Sequence, residues 1–195
     1  MTQPLKSKIK KICLMGASGV GKTSLVKRFV EGIFDETYRT TIGVHIVSKA
    51  VICEEEQIKL IIWDLEGKDD PILVSSDASY LNGARGYLLV ADVTRPDTLD
   101  VAKGLLSAII RHRKEERVRK EGILAEILEE DDLPFVLLLN KSDILQSSAV
   151  ISRASEIFGD GSKIFQTSAK TGDKVNEAFE NLVKQMLEVD RKNSS

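Results

Sequence analysis

The chain has little with which to staple or anchor itself. Its two cysteines, Cys13 and Cys53, both fall inside apolar runs that read as strands, where a free thiol behaves as a small hydrophobe and argues against a disulfide framework or a zinc site. Aromatic residues make up only 5%, and 28 basic residues against 30 acidic ones leave a formal net charge of −2. That balance supplies no basic excess to hold a polyanion, so nucleic acid is not an expected partner. No window approaches the ~20 apolar residues of a membrane span, and the opening MTQPLKSKIK lacks the apolar core of a signal peptide. With Met-Thr at the start and VDRKNSS at the end, no direct lipid anchor is expected and the expected location is cytoplasmic.

A length of 195 residues fits one domain. Apolar runs at Ile9–Met15, Val44–Cys53, Ile58–Trp63, Gly86–Val93, Phe135–Leu139 and Ile164–Thr167 read as strands. Between and after them, Leu99–Ile110, Val150–Phe158 and Val175–Leu187 carry helical spacing; in the last, Val175, Ala178, Phe179, Leu182 and Met186 share one face. Strands alternating with amphipathic helices predict an α/β domain: a mostly parallel six-stranded sheet with helices on both faces. One strand is expected to be antiparallel, because only the short polar stretch Glu54–Gln57 joins the second run to the third. The expected organisation is a tail over 1–8, the domain over 9–190 with a charged insertion around 111–132, and a tail over 191–195. Within the insertion, Glu115 and Arg119, like Glu116 and Lys120, stand in the order that favours an exposed helix. Ile123, Leu124, Ile127 and Leu128 then form an apolar stripe, open to packing on its own domain or to a partner.

Gly16-Ala-Ser-Gly-Val-Gly-Lys-Thr23 satisfies G-x-x-x-x-G-K-[ST], with a strand before it and a helix after it. Such a loop turns successive backbone N–H groups toward phosphate oxygens at the positive end of a helix. The expected phosphate contacts are Ser18, Gly19, Val20, Gly21, Lys22, Thr23 and Ser24; Lys22 reaches the outer phosphates and the Thr23 hydroxyl ligates Mg²⁺. The loop predicts a nucleoside-phosphate site and leaves the base open. Asn140-Lys141-Ser-Asp143, after the apolar FVLLL, decides it. A carboxylate at Asp143 accepts from both the ring N–H and the exocyclic amine of guanine, which adenine cannot offer. GTP and GDP are therefore the expected ligands.

GASGVGKTSL, YRTTIGV at 38–44, WDLEG at 63–67, NKSD at 140–143 and TSAK at 167–170 together make the chain resemble the Ras superfamily of small GTPases, and most closely its Rab branch. The resemblance implies a P-loop G domain and further roles by position. Phe34 packs against the guanine, Thr41 closes on Mg²⁺ and the γ-phosphate, and Asp64 holds Mg²⁺ through water. Gly67 donates its N–H to the γ-phosphate, and Ser168, Ala169 and Lys170 complete the guanine site. Thr41 and Gly67 lose a partner when the γ-phosphate leaves, so the loops around them, switch I and switch II, relax. Protein effectors, a GTPase-activating protein and an exchange factor are the implied partners.

The pattern departs at the site of hydrolysis. The family reads D-T-A-G-Q where this chain reads Asp64-Leu65-Glu66-Gly67-Lys68. A glutamine amide both donates and accepts while orienting the attacking water; Lys68 only donates. Three readings stay open. Lys68 and Glu66 offset each other and hydrolysis is very slow; or Glu66 or Asp69 orients the water while Lys68 stabilises developing charge; or a partner supplies the missing group. A guanine-nucleotide switch is thus set against a constitutively GTP-loaded scaffold that recruits a protein. An ATP-dependent small-molecule kinase shares the loop but gives no reason for NKSD. His45 and His112 are expected to be non-catalytic, and Trp63 to be core or partner-facing surface.

Overall fold

The computed structural model describes residues 8–35, 41–67, 78–121, 133–145, 147–159 and 161–194. Among them are six strands: β1 (Lys8–Gly16), β2 (Val44–Cys53), β3 (Glu56–Leu65), β4 (Ala84–Asp92), β5 (Phe135–Asn140) and β6 (Ile164–Gln166). Four α-helices accompany them: α1 (Lys22–Glu31), α2 (Thr98–Glu121), α3 (Ser148–Phe158) and α4 (Val175–Lys192). The strands form one sheet in the order β2-β3-β1-β4-β5-β6. Only β2 runs antiparallel, with Cys53 opposite Glu56 at the hairpin and Val44 opposite Leu65 at its far end. The hairpin loop is shorter than the sequence suggests, because β3 already begins at Glu56. Glu54 and Glu55 fill it with φ of 49° and 65°, the positive values that a two-residue turn of right-handed twist needs and that glycine or asparagine usually supplies.

Period-two alternation sorts the apolar residues onto two faces. Ile12, Leu14, Leu88, Val90, Val136 and Leu138 point toward α1 and α4. Cys13, Met15, Leu89, Ala91, Leu137 and Leu139 point toward α2 and α3. Covered on both sides, β5 is buried at every position, which is why its sequence reads as an unbroken apolar run. Helix α4 buries the face read from its spacing, extended by Val183 and Leu187. Gly86 lets it approach, since a Cβ there would lie 3.0 Å from both Leu182 Cδ1 and Met186 Sδ. Phe29 of α1 stacks on Phe179 of α4 with ring centroids 3.8 Å apart.

Both cysteines are buried and free, and burial pushes the Cys13 thiol up to about 12. Helix α2 continues unbroken to Glu121; the stripe at Ile123, Leu124, Ile127 and Leu128 lies outside the described residues, as do most of tail 1–8 and Ser195. No helix among the described residues is long and apolar enough to cross a membrane.

Candidate functional site

After β1 the chain passes to α1 on one face of the sheet, and after β4 it passes to α2 on the other. The crevice beyond the carboxyl ends of these neighbouring strands is where open α/β sheets receive ligands. A cleft of about 300 Å³ opens there, large enough for a small organic ligand.

Its floor is the loop between β1 and α1. Gly19 and Gly21 take φ of 71° and 97°, left-handed conformations that are cheap only for glycine. A Cβ on Gly21 would in addition stand 2.3 Å from Asn140 Nδ2. Gly21 is also the N-cap of α1 and brings no side chain to the helix's first N–H groups, so that positive end faces the cleft. Lys22 is buried, and its ammonium donates to the carbonyls of Gly16 (3.0 Å) and Ala17 (2.8 Å). Those two bonds hold the cation against the loop's inner curve. Ser18, Gly19, Thr23 and Ser24 line the same wall. Val20 does not: its side chain is in the core, and its carbonyl accepts from Asn140 Nδ2 at 2.8 Å.

Three oxygen-bearing side chains meet beside the loop. The hydroxyls of Thr23 and Thr41 are 2.6 Å apart, and Thr23 donates to Asp64 Oδ2 at 2.5 Å. Asp64 is fully buried, and its Oδ1 has no hydrogen-bond partner among the described residues. Burial pushes this carboxyl above its ordinary range, against the pull of the Thr23 hydroxyl, Lys22 and His45. A buried carboxylate oxygen left over beside two hydroxyls is a hard-oxygen donor set of the kind Mg²⁺ prefers, so these residues fit the ion the sequence implies.

The far wall is made of NKSD and the loop after β6. Asn140 is buried and holds both loops: besides its bond to Val20, its Oδ1 accepts the Ala169 N–H at 3.1 Å. Asp143 is exposed at the cleft, and the Ser168 hydroxyl donates to its Oδ1 at 2.6 Å. Ser168 therefore stands behind the cleft and aims the carboxylate, while Ala169, Lys170 and Phe34 line it directly. Lys141, with a left-handed φ of 68°, places its amine 2.6 Å from Asp92 Oδ2. Glu66 and Gly67 line the cleft beside the loop between β1 and α1. A Cβ on Gly67 would fall 2.6 Å from Ser18 Cα, so only glycine can sit there. Lys68 and Asp69 lie outside the described residues.

Three residues of this frame were not picked out by motif reading. Asp92, almost fully buried at the end of β4, accepts from Thr94 N (2.9 Å) and Thr94 Oγ1 (2.7 Å) as well as pairing with Lys141. Arg95 reaches Asp92 through Nε at 3.3 Å and the Ser18 carbonyl through a terminal nitrogen at 2.6 Å. Arg28 donates to the carbonyls of Gly32 (2.8 Å), Ala169 (2.8 Å) and Lys170 (2.5 Å), tying α1 to the far wall of the cleft. An acid ending an apolar strand was a usable signal for Asp92; the Ala169 and Lys170 partners of Arg28 are too distant in sequence for any. His45 is an exposed position of β2. His112 is partly buried, with Nδ1 unpaired among the described residues. Trp63 is partly buried against Tyr80, with the Lys11 ammonium 3.5 Å from its ring centroid.

A family model described as the Ras family matches residues 11–188. The Ras-related protein Rab-13 of Canis lupus familiaris is 33% identical over 182 residues, covering 91% of this chain and 79% of that protein. The GTP-binding protein ypt1 of Schizosaccharomyces pombe is 33% identical over 180 residues, or 91% and 80% of the two chains. The Ras-related protein RabJ of Dictyostelium discoideum is 32% identical over 179 residues; this chain spans 63% of its length.

Proposed function

The chain belongs to the Ras family of small GTPases, among its Rab-like members, and on that premise we propose a guanine-nucleotide switch that binds GTP and GDP with Mg²⁺ and hydrolyses GTP slowly to GDP and phosphate. One observation carries the reading: Asn140 ties the phosphate loop at Val20 to the guanine wall at Ala169. Triphosphate and base recognition are thereby fixed in register in one cleft.

The chain's own groups divide the work. Lys22 sets its charge against the outer phosphates from a position fixed by two loop carbonyls. The Asp143 carboxylate, oriented by Ser168, accepts from guanine and would be left unpaired by adenine. Thr23, Thr41 and Asp64 are the residues that would hold Mg²⁺, which when bound supplies positive charge against the β- and γ-phosphate oxygens. Gly67, pressed against Ser18, offers its N–H to the γ-phosphate. Hydrolysis is slow on this reading because Lys68 has no acceptor with which to orient the attacking water. Protein effectors, an activating protein and an exchange factor are the proposed partners; Ile42, next to Thr41 in the chain, and Ile46 of β2, 86% and 51% exposed, offer them apolar surface.

Titration calorimetry with Mg²⁺ tests the assignment. Heat for GDP and a GTP analogue with none for ADP or ATP supports it; equal heat for adenine nucleotides removes the role of Asp143. A second reading, a hydrolysis-deficient and constitutively GTP-bound scaffold, draws support from Glu66, whose carboxylate Oε2 accepts the Gly43 N–H at 3.1 Å and so joins the two switch loops. Nucleotide carried through purification separates the two: GTP favours the scaffold, GDP the working hydrolase.

A further inference from the structure

Strands β2 and β3 pair from the hairpin as far as Val44 opposite Leu65. One residue further on, the Glu66 N–H donates to the Gly43 carbonyl at 2.8 Å. In a regular ladder the return bond would run from the Gly43 N–H to the Glu66 carbonyl. Here that N–H goes instead to the Glu66 side chain, Oε2, at 3.1 Å. The carboxylate thus extends the hairpin by one bond beyond its last strand pair. An alanine here, as in the family's D-T-A-G-Q, has no acceptor to make it.

The position of this contact gives it consequence. Gly43 lies two residues after Thr41, and Glu66 immediately precedes Gly67. Thr41 and Gly67 are the residues whose release would follow loss of the γ-phosphate, while both partners of the new contact belong to the protein and persist when the phosphate leaves. Glu66 lines the phosphate end of the cleft, and turning one carboxylate oxygen onto an N–H draws its negative charge toward switch I. A hydrogen bond to an ionised acceptor is also stronger than the neutral ladder bond it replaces.

We propose that Glu66 is a positioning residue that clamps switch I to switch II by accepting the Gly43 N–H, so that the loops stay paired with GDP bound as well as with GTP. The proposal rests on the nucleotide-switch reading. Its test is amide hydrogen exchange at Gly43, followed by NMR in the wild type, Glu66→Ala and Glu66→Gln, each loaded with Mg²⁺ and either GDP or a non-hydrolysable GTP analogue. In the wild type, Gly43 protection should agree within about three-fold between the two states. Glu66→Ala should lose about ten-fold of the protection in the GDP state, while the analogue, holding Thr41 and Gly67, preserves more of it. Glu66→Gln keeps an acceptor oxygen and should retain most of the protection. Unchanged exchange in β5 of each variant shows that the fold is intact. An unprotected Gly43 in the GDP-bound wild type, an Ala variant indistinguishable from it, or a Gln variant that behaves as Ala overturns the clamp. Failure of the wild type to load either nucleotide overturns the nucleotide reading itself.

Discussion

Replacing Asp92 by Asn should unsettle the site from beneath without substituting any residue that lines the cleft. Asp92 is 1% exposed, and its two oxygens accept from four donors: Thr94 N and Oγ1 on Oδ1, Arg95 Nε and Lys141 Nζ on Oδ2. An asparagine must turn its NH₂ toward one pair of donors or the other, so donor faces donor in either orientation. Removing one partner of a buried ion pair costs about 3–5 kcal/mol. Lys141 is 33% exposed and can recover some hydration, so a loss of about 2–3 kcal/mol is expected. Urea denaturation with saturating Mg²⁺ and GDP measures it. The sign of the pH dependence is fixed as well. Burial alone would raise this carboxyl, but the hydrogen bonds from Lys141 and Thr94 outweigh it and hold the group below its ordinary range. A carboxyl depressed in the folded state stabilises fully above its unfolded value of about 3.9 and ceases to do so as pH falls through the lower folded value. The gap between wild type and variant should therefore be level from about pH 8 to pH 5 and close only on acidification below about pH 4. GDP should also dissociate faster, because Lys141 and the Arg95 contact to Ser18 lose their shared anchor. A gap below about 0.5 kcal/mol, or one that varies between pH 8 and 5, refutes the reasoning.

Gly21→Ala should abolish measurable nucleotide binding, since the added carbon meets Asn140 Nδ2 at 2.3 Å from a backbone at φ 97°; nucleotide retained at the wild-type level in gel filtration would contradict it. Glu55→Gly should raise stability by about 0.5–1 kcal/mol in urea, because φ of 65° strains any side chain, and should leave GDP affinity unchanged. Glu55 is the position to change because Glu54 is engaged by Arg191. Lys68→Gln should raise single-turnover GTP hydrolysis by roughly ten- to a hundred-fold, by restoring a group that can orient water; an unchanged or lower rate would favour a carboxylate as the water-orienting group.

The placement of the 16–23 loop and NKSD at one cleft was legible because the shape of each depends on residues adjacent in sequence: glycines where the backbone must turn left-handed, a lysine and a threonine at the helix start, a carboxylate after a buried strand. The same holds for the sheet, whose apolar runs announce strands β1, β4 and β5 buried on both faces. What lay hidden depends on distance through space. Arg28 binds carbonyls at Ala169 and Lys170, on the opposite side of the cleft, and no local pattern links a helix arginine to a loop so far along the chain. Arg95 reads as one more charge in a turn until its contact with the Ser18 carbonyl is seen. Glu66 was visible as a departure from the family pattern, and its charge suggested only an offset to Lys68 or a group to orient water. Its bond to Gly43 could emerge only once β2 and β3 were in register.

The two ends of the cleft consequently differ in how they are held. The base end and the floor are bound by hydrogen bonds that each engage at least one buried side chain: Asn140 to Val20 and Ala169, Lys22 to Gly16 and Ala17, Asp92 beneath Lys141. Opening any of these in a low-dielectric setting leaves a polar group unpaired, so they are expected to open only with the fold itself. The phosphate end is held by contacts among partly buried residues, Thr41 with Thr23 and Glu66 with Gly43. Water can replace such contacts at smaller cost than it can the buried ones, so this end is the one whose arrangement a bound phosphate group would most readily bias. Glu66 adds one protein-only contact at the labile end. If the clamp holds, it leaves recognition of the base untouched and favours the paired over the separated arrangement of the two loops whichever nucleotide is bound, which narrows the change a switch can make.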